Sequence, residues 1–282
     1  MLDMFRNPKL AAAVYASQKT PRSPSDIVLE VSSGMALGDL PGGAPTACWV
    51  FTNAESVRLY RGNDYIAAFS PDRHGRFAAM PHPPIEINDF VGSLLEKYEG
   101  MNSPSAQAAA AILNDMRRCA MELSPLSKAR MLSLRLSWNE VARMYCKYIG
   151  ILGSPSPVYR FEAVWHGRVV GTVVREPVQS VRLECTVHNP ILTDGPTWDC
   201  AAVSLRAIDQ NGNLLPYCGE AVQLRVDGPL KIIGPSVVPL RGGMAGTYLA
   251  TTGEAGRAVL HCRMEGALDT DAVLTIRSRE NG

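Results

Sequence analysis

Among its seven cysteines (Cys48, Cys119, Cys146, Cys185, Cys200, Cys218 and Cys262) the chain has no pair at C-x-x-C spacing. Zinc sites draw their ligands in such close pairs, so no zinc centre is expected. An odd, scattered set reads as small buried hydrophobes in a reducing compartment. Excess charge of either sign is also missing: the formal net charge is +1, which gives no electrostatic case for nucleic acid or an anionic membrane. No apolar run is long enough to cross a bilayer. The five histidines, His74, His82, His166, His188 and His261, lack metal-ligand spacing. Gly242-Gly243-Met244-Ala245-Gly246 lacks the lysine and hydroxyl residue of a phosphate-binding loop and reads as turn glycines. No serine stands in a G-x-S-x-G context. Glu86 and Asp89 are three residues apart, so on a strand they would face opposite sides and on a turn they would be solvated. No catalytic carboxylate pair is expected, and no cofactor.

What is present is a chain of 282 residues, 46% hydrophobic and 20% charged. That composition suits a globular protein of two domains. Arg6 and Lys9 before Leu10-Ala11-Ala12-Ala13-Val14-Tyr15-Ala16 weakly imitate a signal peptide, but the apolar stretch is short and Pro8 sits at its start. A short helix capped by Asn7, with Pro8 in its first turn, accounts for the same residues. Cytoplasmic residence is therefore expected.

The pattern predicts mainly β structure in two immunoglobulin-like β-sandwiches, the first carrying a helical insert and preceded by a short N-terminal helix. Residues 1–23 comprise that helix and the start of a polar linker, Thr20 to Asp26, broken by Pro21 and Pro24. Residues 24–176 form the first sandwich. Its strands include 27–31, 48–52, 57–60 and 65–69, then 159–165 and 168–174 joined by the two-residue turn His166-Gly167. The insert, at about 103–150, carries three helix-start signals: Ser103-Pro104, Ser124-Pro125 and the capping box Ser137-Trp138-Asn139-Glu140. Ile112, Met116, Cys119 and Leu123 predict a buried stripe on the first of these helices, and Leu126, Ala129 and Leu132 one on the second. Residues 177–282 form the second sandwich, with alternating strands such as 181–187 and 222–226 between turns of glycine, proline and asparagine. Trp165 or Trp198 is expected to fill a core. The arginines of the insert, Arg117, Arg118, Arg130, Arg135 and Arg143, read as a solvated face.

Several segments taken in order resemble one family. These are Asp3-Met4-Phe5-Arg6-Asn7-Pro8-Lys9, Ser32-Ser33-Gly34-Met35, residues 51–57, residues 84–92, Lys147-Tyr148-Ile149-Gly150, residues 159–163, residues 209–216, Ile232-Ile233-Gly234-Pro235 and residues 240–248. Together they are similar to the C-terminal, post-barrel region of a glycoside hydrolase family 2 enzyme of the β-galactosidase type. In that family the resemblance implies retaining hydrolysis by two glutamates on the strands of a TIM barrel. In such chemistry one carboxylic acid protonates the leaving oxygen while the other carboxylate attacks, about 5 Å away. Both would lie upstream of Asp3, so no catalytic residue is carried over and the chain alone is expected to be inactive.

The resemblance implies a non-catalytic accessory region that braces the barrel, its partner, and meets carbohydrate only through the parent enzyme. Separated from that barrel, the first helix and the first sandwich would expose apolar surface, so self-association is expected. The alternative is a free-standing immunoglobulin-like module that binds carbohydrate or protein. Sugar-contact candidates are His82, on a stiff loop between Pro81 and Pro83, and Trp138, at a helix start. A hydrogen-bonded surface histidine is the competing reading for His82, and packing that for Trp138.

Overall fold

The computed structural model describes residues 1–35, 47–119, 122–151 and 153–278. Strand-forming and helix-forming stretches sort into two units, Leu10–Pro177 and a discontinuous one of Met1–Lys9 with Val178–Gly282. The stretch 1–23, read from sequence as one piece, is thus divided: its first nine residues pack with the C-terminal sandwich. Asn7 does not cap the helix. Its side chain is turned to Asp3 and to the backbone of Ala245, as described below.

In the first unit, α1 (Leu10–Ala16) and a 3₁₀ turn at Pro24–Asp26 precede β1 (Leu29–Val31), β2 (Trp49–Thr52), β3 (Ser56–Arg61), β4 (Asp64–Phe69) and β5 (Ile85–Glu86). Then come α2 (Leu94–Glu99), α3 (Ser103–Arg118), α4 (Pro125–Ser133) and α5 (Trp138–Tyr148), followed by the hairpin β6 (Tyr159–Trp165) and β7 (Arg168–Arg175). The sheets run β1-β2-β5 and β4-β3-β6-β7. The hairpin turn has both residues in the left-handed region, His166 at φ 49° and Gly167 at φ 73°. This matches the right-handed twist of the flanking strands. Buried Asn53 stitches the linker down: its Nδ2 donates to the carbonyls of Lys19 and Asp26, and its Oδ1 accepts from Val28 N.

One core joins sheets and helices, with Val50, Val57, Leu59, Ile85 and Phe161 packed in the same cluster as Ile112, Met116, Val141 and Tyr145. Among the described residues the insert shares its core with the sheets. Ser124 and Ser137 cap α4 and α5, the latter with Glu140 in a full capping box. Asn102, rather than Ser103, caps α3. That helix ends at Arg118, so Cys119 lies exposed at its cap and the buried face is completed by Ala106, Ala109 and Leu113 instead. Leu126, Ala129 and Leu132 are all exposed on α4, contrary to the amphipathic reading. The short helix α2 escaped the sequence reading, since Leu94 and Leu95 alone supply its buried face.

The second unit contains β8 (Val181–Val187), β9 (Ile191–Asp194), β10 (Cys200–Ile208), β11 (Ala221–Asp227), β12 (Leu230–Ile233), β13 (Val237–Pro239), β14 (Met244–Thr251), β15 (Gly256–Met264), β16 (Ala267–Leu268) and β17 (Thr270–Ser278). They form two five-stranded sheets, β12-β14-β10-β8-β16 and β13-β11-β15-β17-β9. All pairs are antiparallel except β16 with β8 and β17 with β9. Inward side chains such as Val203, Leu205, Leu249, Leu260 and Leu274 fill the space between the sheets, as alternation along paired faces requires.

Candidate functional site

A densely hydrogen-bonded feature among the described residues is the docking of Met1–Lys9 onto the second unit's sandwich. Asp3 organises the segment: its Oδ1 accepts from the backbone N–H groups of Phe5 and Asn7, each at 2.8 Å. Its Oδ2 accepts from Asn7 Nδ2 at 2.9 Å. Arg6 takes up the left-handed conformation, φ 65°, that this tight loop needs. The second hydrogen of the buried Asn7 amide goes to the carbonyl of Ala245 on β14, at 2.9 Å. Ser204 Oγ on β10 donates to Phe5 O, and Tyr248 OH on β14 donates to Met4 O. The Phe5 ring lies 5.6 Å from that of Tyr248, over Gly246. A Cβ there would stand 2.5 Å from Val203 O and closer still to Phe5. Two segments of the family resemblance, Asp3–Lys9 and Leu240–Tyr248, are thus brought into one contact.

The sequence candidates are dispersed. His82 is half-buried, and its backbone exchanges two hydrogen bonds with the Gln18 side chain. Burial, then the charge of Arg73, lowers the pKa of its ring. Trp138 is 47% exposed at the start of α5. Glu86 is exposed on β5. Asp89 is a loop organiser whose Oδ1 accepts from Val91 N, Gly92 N and Asn114 Nδ2. Trp198 does not fill a core: it is 61% exposed on the loop between β9 and β10. Its apolar neighbours in sequence suggested burial, but the loop carries it beyond the sheet. The cysteines are also less buried than expected, with Cys119, Cys146 and Cys200 exposed. Among the described residues no group of three or more His, Cys, Asp or Glu side chains could hold a metal ion, and no helix is long and apolar enough to cross a membrane.

A polar groove of about 710 Å³ in the first unit was not foreseen. Asn88, Asp89, Glu96, Asn114, Asp115, Arg118 and Arg130 reach it from a loop and three helices, so no local motif could have disclosed it. Two of its acids, Asp89 and Asp115, are engaged in hydrogen bonds. Asp115 accepts from Ser124 N and, at 2.5 Å, from Ser127 Oγ, and these hydroxyl and amide donors hold its carboxyl below the usual range. Nearby Glu99 is brought down to about 2, chiefly by Lys147, with Tyr148 and Arg143 adding to it. A glycosidase acid needs the reverse, a carboxyl kept protonated near neutrality. Asp26, Asp64, Glu140 and Asp271 are likewise shifted downward by donors.

The architecture is that of paired β-sandwiches found in large glycosidases. It covers 97% of this chain in a β-glycosidase from Bacteroides vulgatus (TM-score 0.57, 12% identity) and 27% of that structure. A glycosyl hydrolase family 2 member from Bacteroides cellulosilyticus aligns over 98% of this chain and 31% of its own (TM-score 0.55, 10% identity). At such identity these two show the fold. In sequence, the chain is 26% identical over 261 residues to a β-galactosidase from Thermoanaerobacter pseudethanolicus, covering 93% of this chain and 28% of the relative. No family model matches. The chain is similar to a β-galactosidase-like region of a glycoside hydrolase family 2 enzyme, and it spans little more than a quarter of that relative's length.

Proposed function

We propose that this chain is the non-catalytic accessory region of a retaining family 2 glycosidase, lying after the catalytic barrel and bracing it. The observation that carries this reading is the grip of the second sandwich on Asp3–Asn7. In the resemblance that segment follows the last barrel strand, so a sandwich holding it through Ala245, Ser204 and Tyr248 would anchor the point where the chain leaves the barrel. The surface of α1 fits a missing neighbour. None of its residues is buried, and Leu10 and Tyr15 are 46% and 65% exposed. The chain alone would then have no glycosidase activity. Purified protein should leave p-nitrophenyl β-galactoside intact, and should stabilise a barrel fragment of the Thermoanaerobacter relative that lacks the matching region. Turnover that survives purification from a host lacking β-galactosidase, or no effect on the fragment's melting, would overturn the proposal.

A second reading, a carbohydrate-binding module, is favoured by one observation. Trp198 stands exposed beside a notch of about 280 Å³ lined by Thr193, Thr197 and Asp199. An aromatic face with flanking hydroxyl and carboxylate groups suits a pyranose ring. Affinity electrophoresis in galactan or xylan gels, with Trp198→Ala as control, separates the two readings.

A further inference from the structure

We infer that Cys185 and Cys262 are a redox-responsive pair, able to close a disulfide across the core of the second sandwich. Cys185 lies on β8 and Cys262 on β15, strands of opposite sheets. Their sulfurs are 3.8 Å apart, with the Cys262 thiol donating toward Cys185. A disulfide bond is roughly 2.05 Å long, so closure requires an approach of only about 1.8 Å. The strands around the pair are already fastened to each other: Thr270 Oγ1 donates to Leu183 O at 2.6 Å, and β16 pairs with β8 at Val181 and Arg182.

The two thiols differ in access. Cys185 is half-buried and Cys262 is fully buried, so a soluble oxidant meets Cys185 first. The hydrogen bond from Cys262 lowers the pKa of the Cys185 thiol, and the same contact raises that of Cys262. Cys185 is thus the attacking sulfur and Cys262 the resolving one. With a low-molecular-weight disulfide as oxidant, the Cys185 thiolate attacks one of its sulfurs, forms a mixed disulfide and expels one thiolate. Cys262 then gives its proton to solvent and attacks Cys185 Sγ, expelling the second thiolate. Two protein thiols are oxidised and one external disulfide is reduced to two thiols. The staple would span positions 77 apart, enclosing β10 and β14, the strands that hold Met1–Lys9.

The purified chain, incubated with oxidised glutathione, blocked with N-ethylmaleimide and digested without reductant, should yield a peptide joining Cys185 to Cys262. Dithiothreitol should reverse it. The second unit's thermal transition should rise by roughly 5 °C or more on oxidation. Cys262→Ser should instead leave Cys185 as a persistent glutathione adduct. If that variant does not fold, the wild-type peptide map and its reversal decide the matter. The inference is overturned if Cys119, Cys146 and Cys200 become glutathionylated while no Cys185–Cys262 peptide forms, or if that peptide appears only after denaturation.

Discussion

Replacing Gly246 by alanine tests the docking of the N-terminal segment directly. The added Cβ would stand 2.5 Å from Val203 O, and closer to the ring of Phe5. The carbonyl belongs to β10, whose Val203 is registered opposite Thr247 of β14, so it cannot yield without opening the ladder. The ring can yield, but only by lifting the half-buried Phe5 from Tyr248 and straining the bonds to Phe5 O and Met4 O. Overpacking of this kind costs about 3 kcal/mol where backbone must move, or roughly 12 °C in the melting of a sandwich of about a hundred residues. Phe5→Ala alone, which forfeits part of one aromatic burial, should cost about 1–2 kcal/mol. In the double variant the ring clash is gone and the carbonyl clash remains, so the two costs should sum to about 1 kcal/mol more than the double variant shows. Thermal unfolding by circular dichroism, with hydrogen exchange at the Asn7 amide, reads both effects. The docking argument fails if Gly246→Ala melts within 2 °C of the wild type, or if the costs are strictly additive.

Other outcomes follow from the first unit. Gly92 has φ +50° and a position where a Cβ would lie 2.5 Å from Ile66 O, so Gly92→Ala should lower stability by about 3 kcal/mol in urea titration. Glu99 is held at about 2 against an ordinary 4.5. A depressed carboxyl contributes stability above its unfolded value and loses it as pH falls, so melting should decline between about pH 4.5 and 2, and Glu99→Gln should flatten that decline. Size-exclusion chromatography should show concentration-dependent association of the chain. Leu10→Glu with Tyr15→Glu should diminish it, and a strictly monomeric wild type would count against an uncovered α1 surface.

Much of the fold could be read from residues alone where the signal was local. Ser137 and Glu140 announced α5 because a capping box satisfies two backbone donors at one place, and His166-Gly167 announced a hairpin because few residue pairs accept two positive φ angles. Non-local arrangements stayed hidden. Asn7 looked like a helix cap, but its amide is spent on Ala245, 238 positions away. Leu126, Ala129 and Leu132 share helical spacing yet remain in solvent, since periodicity reports a face and not what covers it. The groove around Asp115 joins residues from a loop and three helices. The Cys185–Cys262 approach depends on two strands in different sheets, which spacing in the chain does not encode.

The discontinuity of the second unit bears on how the polypeptide matures at the ribosome. Residues 10–177 form a unit that is continuous in sequence. Met1–Lys9, though translated before them, must wait for β14, more than two hundred positions downstream. Closing so wide a gap is slow, and until it closes the face of β14 around Gly246 lacks the Phe5 ring that covers it.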